Sequence, residues 1–197
     1  MHSELTDVPF LFSNQPLQWT VDNVLTSAEC TELICKLEGA KTAVVAGDGE
    51  YRNQDRLTWD SAPQASLLLS RLKPHLPQSM GALQLDCLTS RFRLYRYKPG
   101  QAFAPHTDHW HQYDMRRISL LTVLVYLNEG FKGGETRFLS PIQTCVVPRT
   151  GQAAIWQHKV EHEGCPVLQG VKYALRTDAV YRADYPVNVL AGCPTKS

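Results

Sequence analysis

Charge of one sign is in short supply in this chain: 20 Lys and Arg stand against 19 Asp and Glu, for a net charge of +1. That balance removes the electrostatic reason to expect nucleic acid or an anionic membrane as a partner. Long apolar runs are missing too. The longest uncharged apolar run, Ile118 to Asn128, is too short to span a bilayer. The opening MHSELTDVPFLF has no basic segment ahead of a long apolar one, so no signal peptide is expected. Cys193 stands fifth from the C-terminus, one residue out of place for prenylation. The six cysteines form no CxxC pair, and their spacing is not that of a disulfide framework. Reduced, mostly buried thiols in a cytoplasmic protein are the expectation. Repeats and low-complexity tracts are also absent. With 197 residues, 43% hydrophobic and 20% charged, the chain suits one globular domain with a sizeable core.

The expected organisation is a helical support over about 1–82, a β-rich core over about 83–185 and a tail over 186–197. Thr26 or Ser27 caps a helix with Glu29 near its third position. Cys30, Leu33, Ile34 and Leu37 follow at helical spacing, and Gly39 ends the segment. Residues 41–61 are polar, contain Gly47-Asp48-Gly49, and read as a loop or hairpin. Arg52, Asn53 and Arg56 lie in it as a solvated cluster, with a cover over substrate as the alternative. A second helix runs from about Pro63 to Leu72, closed by Pro74 and Pro77. Beyond Leu83 come short strands: Arg91–Tyr97, Ile118–Leu127, Thr144–Pro148, Ala153–Trp156 and Lys172–Tyr181. Turns fall at Pro99-Gly100, Gly133-Gly134, Pro141, Gly151 and Gly164-Cys165-Pro166. The fold class is mostly β with N-terminal helices, an α+β chain around a double-stranded β-helix or jelly-roll core.

Within that frame, His106-Thr107-Asp108 and His162 make a three-point claw for one divalent metal. Three protein ligands leave coordination positions open, as a non-haem iron needs if it is to bind a co-substrate and dioxygen together. Residues two apart on a strand point the same way, so His106 and Asp108 can share an ion. His162 arrives from a distant strand. Lys172, ten residues later, is a cation suited to an acidic co-substrate. Rival ligands are weaker. His109, His111 and Asp114 read as an exposed polar loop. His158 and His162 have the spacing of a zinc helix, but HKVEH lacks the glutamate after the first histidine, and Pro and Gly flank it. Trp156 reads as a core aromatic beside His162.

Three stretches carry a resemblance: RLYRYKPGQAFAPHTDHW, SLLTVLVYLNEGFKGGETRFL and GQAAIWQHKVEHEGCPVLQGVKYALRTDAVY. In order and spacing, over roughly residues 91–182, they resemble the prolyl 4-hydroxylase branch of the 2-oxoglutarate/iron(II) dioxygenases. The resemblance implies that His106, Asp108 and His162 are iron ligands. It implies that Lys172 pairs with the distal carboxylate of 2-oxoglutarate, that Tyr97 hydrogen-bonds the same end, and that Thr122 and Tyr126 line the co-substrate pocket. Gly133-Gly134-Glu135-Thr136 matches the turn and strand that follow. Arg176 shares a strand face with Lys172, which leaves it three roles: the true carboxylate partner, a second clamp, or a substrate contact. Lys172 is favoured by its interval from His162.

The implied cofactor set is iron(II), 2-oxoglutarate as co-substrate and dioxygen, with ascorbate as a reductant. The implied reaction is C–H hydroxylation of a prolyl residue in a peptide or protein, releasing succinate and carbon dioxide. The alternatives are the same chemistry on a free amino acid or other small molecule, a cupin-like zinc or manganese protein, and a non-catalytic metal-binding or oxygen-sensing module. The 109–117 segment is a candidate lid. Oligomeric state is not legible.

Overall fold

The computed structural model describes residues 5–40 and 53–189. Helix α1, Ser27–Glu38, starts where a complete capping box forms: Glu29 N donates to Thr26 Oγ1 (3.2 Å) and Thr26 N to Glu29 Oε2 (2.8 Å). Helix α2, Ala62–Leu72, is capped by Ser61 and has proline in its first turn. Arg71 of α2 forks onto Glu29 at 2.8 and 2.9 Å, and that pairing, with the Thr26 amide, brings the Glu29 carboxyl down to about 2. Each helix buries one stripe: Cys30, Leu33 and Leu37 from α1, and Ala65, Leu68 and Leu72 from α2.

Those stripes share one apolar cluster with the outer face of a large, mostly antiparallel sheet. Its strand order is Gln18–Val21, Ala153–Gln157, Arg117–Tyr126, Lys172–Arg182, Leu83–Leu88, Ser79–Met80. Arg91–Tyr97 also pairs with Lys172–Arg182 and carries Asp55–Asp60 on its other side. A four-stranded sheet holds Thr144–Val146, Thr136–Ser140, Glu161–Gly164 and Phe103–His106 in that order. One pocket is lined from both sheets, by Tyr95, Tyr97 and Lys172 of the large sheet and by His106, Thr136 and His162 of the small one. The architecture is a jelly roll. Strand parity sorts the residues: Leu94, Leu175 and Val125 are register partners on the helix side, while Tyr95, Ala174 and Tyr126 are partners on the inner side.

Three expectations need correction. The first 82 residues are not a helical support alone, because Thr6–Val8, Gln18–Val21 and Asp55–Asp60 are strands. Within the presumed tail, Val187–Val189 pairs in parallel with Thr6–Val8. Finally, 41–61 is not one loop. Residues 41–52, with Gly47-Asp48-Gly49 and Arg52, lie outside the described residues, but Asp55–Asp60 is regular strand. Asp55–Asp60 carries no apolar alternation on its inner face, because Arg56, Thr58 and Asp60 line a cleft. The cysteines also differ: among the described residues only Cys30 is buried, while Cys35 and Cys145 are exposed and Cys87 and Cys165 half-buried, these five all free. Cys35 lies off the apolar stripe of α1 and Cys145 lies on an edge strand.

Candidate metal centre and co-substrate pocket

His106 ends the strand Phe103–His106, and His162 lies on Glu161–Gly164; the two are direct register partners. Their ring centroids are 4.2 Å apart. Each ring is oriented by its own backbone: Nδ1 of His106 donates to Ala104 O (2.8 Å) and Nδ1 of His162 to Val160 O (2.9 Å). A carbonyl can only accept, so both Nδ1 atoms carry hydrogen and both Nε2 lone pairs are left for a metal. Phe103 stacks on His106 at 3.7 Å, and Trp156 sits 4.6 Å from His162.

Asp108 is not on the strand, as its spacing from His106 had suggested; it lies two residues past the strand's end. Its backbone is nevertheless held at both ends, its N–H donating to His158 O (2.7 Å) and its carbonyl accepting from Lys159 Nζ (2.9 Å). The carboxylate stands 3.9 Å from His106 Nε2 and 3.8 Å from His162 Nε2. One ligand atom from each of the three residues lies within 4.8 Å of the others. Two neutral imidazole nitrogens and one carboxylate suit a divalent metal of the iron type, with positions left open.

Buried charge sets the protonation of these groups. Burial, then His162, brings His106 down to about 4, and burial also lowers His162. Burial opposes ionisation of Asp108, but the Arg176 guanidinium and the nearby histidines outweigh it and hold the carboxyl below the usual carboxylate range. Both histidines are therefore neutral and the aspartate ionised at neutral pH, the states that bind metal. Asp108 Oδ2 accepts from Thr122 Oγ1 (2.5 Å) and Trp156 Nε1 (3.2 Å), and Oδ1 faces Arg176 Nη1 at 2.7 Å.

Beside the claw lies the pocket lined by Tyr97, Phe103, Leu124, Thr136, Gly164 and Lys172. Lys172 is 2% exposed, opposite Tyr97 in register. One ammonium hydrogen goes to Gly134 O at 2.6 Å, and the charge sits 5.1 Å from the Tyr97 ring and 5.4 Å from the Tyr126 ring. Among the described residues it has no ion pair, and burial pushes its pKa down to about 8. A buried ammonium with unspent donors is the complement of a carboxylate. Gly134 has φ +73°, and a Cβ there would meet Phe131 at 2.9 Å and Lys172 Cδ at 3.3 Å, so the Gly-Gly turn is what lets the lysine in.

Several expected site residues stand elsewhere. Thr122 and Tyr126 do not line the pocket; they stand behind it. Thr122 braces Asp108, and Tyr126 donates to Thr136 Oγ1 at 2.7 Å. Leu124, between them on the same face, reaches the cavity instead. Arg176 does line the pocket with Lys172, but its guanidinium is engaged by Asp108 and by Asp178 (3.2 Å). Phe103 and Asp178 are not among the expected site residues, and Thr136 is expected only as part of the turn and strand after Gly133-Gly134; for Asp178 the available signal is its parity with Arg176. Of the rivals, His109, His111 and Asp114 are exposed and His158 is buried 3.7 Å from Asp178. The 109–117 segment is tied back by a Gln112–Ile118 bridge and by His111 N donating to Ser119 Oγ.

Residues 92–177 match the family model of the 2OG-Fe(II) oxygenase superfamily, somewhat under half of the chain. Similar solved structures include a viral collagen prolyl hydroxylase from Paramecium Bursaria Chlorella virus-1, in a 2OG complex. It has a TM-score of 0.64 and 21% identity, and the match covers 86% of this chain and 98% of that one. A Pseudomonas putida prolyl-4-hydroxylase matches with a TM-score of 0.63 and 18% identity, over 85% and 92% of the two chains. A Trichoplax adhaerens prolyl hydroxylase, in complex with a hypoxia inducible factor peptide fragment, matches with 0.65 and 16%, over 84% of each. At these identities the likeness is one of fold. No curated protein matches the chain. The matched segment resembles a 2OG-Fe(II) oxygenase core, and the folds it matches include prolyl hydroxylases. The chain is an oxidoreductase of the dioxygenase class, with iron(II), 2-oxoglutarate and dioxygen as its cofactor and co-substrates. No described helix is long and apolar enough to cross a membrane.

Proposed function

We propose that the protein hydroxylates a C–H bond of a prolyl residue in a peptide or protein. In the same turnover 2-oxoglutarate is oxidised and decarboxylated to succinate and carbon dioxide. One oxygen atom of dioxygen enters succinate and the other enters the product. In this reading His106, Asp108 and His162 hold iron(II), which when bound supplies the oxygen chemistry. Lys172 and Tyr97 take the distal carboxylate of 2-oxoglutarate in the pocket beside it. Phe103 and Trp156 flank the two histidines and keep water from the metal's inner side. Thr122, Trp156 and Arg176 hold Asp108 ionised and fixed in the metal-free site.

The observation that carries the reading is Lys172: a buried ammonium with no ion pair among the described residues, beside a three-ligand claw. A purely structural lysine at 2% exposure would be a large uncompensated cost. A prolyl substrate is supported by the prolyl hydroxylases among the matching folds. The experiment is succinate release from the iron-loaded protein with prolyl peptides, free proline and other amino acids, with mass spectrometry for one added oxygen atom. Succinate coupled to oxygenation of a prolyl peptide is the expected result. Coupling only to a free amino acid would overturn the peptide assignment.

A further inference from the structure

Beyond the claw, away from Lys172, opens a cleft of about 680 Å³. One wall is the inner face of three paired strands, and their register writes its chemistry. Thr58, Arg93 and Arg176 form one cross-strand row; Arg56, Tyr95 and Ala174 form the next; Asp60 and Arg91 pair at the outer end. Arg93 and Arg176 are like charges side by side, an arrangement that costs energy on a sheet. Asp178 compensates by facing both, at 3.3 Å from Arg93 and 3.2 Å from Arg176. Arg176 also takes Asp108 at 2.7 Å.

These contacts consume two aspartates and two arginines. Arg56 and Arg91 line the same cleft and make no ion pair among the described residues. Arg91 is exposed, but Arg56 is half-buried. The charge of the loaded site does not answer them, since iron(II) and a 2-oxoglutarate dianion cancel. Nor does a general excess of cations explain them, because the whole chain carries only +1. A half-buried guanidinium facing a cleft, in the same cross-strand row as Tyr95, is a built receptor for a planar anion.

We infer that Arg56, with Arg91 at the outer end of the cleft, reads a carboxylate of the substrate next to the carbon that is oxidised. The inference rests on the oxygenase reading and adds a substrate class to it. Two sources share this chemistry: an acidic side chain flanking the reacting residue of a peptide, and the free carboxylate of an amino acid. Arg56 stands beside Tyr95, one strand spacing of about 4.8 Å away, and both line the cleft that reaches His106 and Asp108.

The test is titration calorimetry of the full chain with matched ligands, alongside succinate release. The ligands are end-blocked prolyl peptides carrying Asp or Glu beside the proline, the same peptides with Asn or Gln, free proline and prolinamide. In the wild type the acidic member of a pair binds about tenfold more tightly than its amide, a gap that narrows as salt rises. Arg56→Gln brings the ratio to about one. Arg56→Lys keeps the charge and retains part of the preference, which separates carboxylate reading from a folding defect. A preference in the blocked peptides assigns the source to a side chain, and one confined to free proline assigns it to the free carboxylate. Equal binding within every pair, or a preference that survives Arg56→Gln, overturns the inference. Succinate release without acid preference leaves the proposed function standing and removes this one. Arg56-dependent acid preference without succinate release from any ligand does the reverse.

Discussion

Arg176 Nη1 stands 2.7 Å from Asp108 Oδ1, so the anionic ligand of the candidate metal site is already ion-paired from within the protein. Both groups are nearly out of water, with side chains 14% and 5% exposed. The pair therefore has two partners competing for one carboxylate, an arginine and a metal. Breaking a buried pair by removing one member costs about 3–5 kcal/mol, because the other charge is stranded. Arg176→Met should destabilise the metal-free protein by roughly that amount, and a saturating divalent metal should restore much of the loss, since the cation takes over the arginine's role. Urea titrations with and without metal measure both. Equal losses in the two conditions would refute the competition.

Ligand removal gives the sharpest activity prediction. His106→Ala or Asp108→Ala should abolish succinate release coupled to substrate, while the fold persists. Thr122→Val removes the 2.5 Å hydrogen bond to Asp108 and keeps the volume. Metal affinity should fall by about 10–100-fold, as for other groups that orient a ligand. Metal titration reads the change directly, and near wild-type turnover in either alanine variant would disprove the ligand assignment.

Lys172 should impose a pH dependence on 2-oxoglutarate binding. Its pKa is lowered to about 8 in the free protein, so the ammonium that binds a carboxylate is lost as pH rises through that value. The KM for 2-oxoglutarate should climb above about pH 8. Lys172→Ala should raise that KM by about 10–100-fold, the worth of a charge-assisted hydrogen bond, and should flatten the profile. For stability the sign is opposite. The unfolded lysine holds its proton to a higher pH than the folded one, so this group makes the metal-free protein more stable as pH rises from about 8 toward its ordinary value.

His106 acts at the other end of the scale. Its pKa falls from 6.5 to about 4, chiefly through burial. A depressed pKa means the folded state prefers the neutral ring. Its contribution is intact above about 6.5 and is lost as pH falls toward about 4, because the unfolded chain takes up the proton first. Unfolding midpoints of the metal-free protein should drop across that window. His106→Asn should flatten the drop in proportion to this one group.

The α1 cap offers a control far from the chemistry. Thr26→Ala should cost about 1 kcal/mol through loss of the N-cap. Glu29→Gln should weaken both the box and the Arg71 fork. Thermal melts measure both, and metal affinity should stay unchanged in each.

The sequence by itself determined the local elements and the identity of the claw. Thr26, Glu29 and Gly39 mark α1 because orphan helix-end groups must be capped nearby. Arg91–Tyr97 and Lys172–Arg182 are legible because alternating residues must face opposite sides of a sheet. Strands with polar inner faces were not legible: Asp55–Asp60 reads as loop until Arg56, Thr58 and Asp60 are seen lining a cleft. Only the tertiary structure decided how the inward-facing cations are used. Lys172 and Arg176 share a strand face, and no local rule separates them. Their neighbours do: Asp108, far off in the chain, and Asp178, two residues along the same strand, neutralise Arg176, while the Gly133-Gly134 turn gives Lys172 a carbonyl and no described residue gives it an ion pair. Charge compensation is a matter of distance in space, and distance in space between residues far apart in the chain is what folding alone supplies.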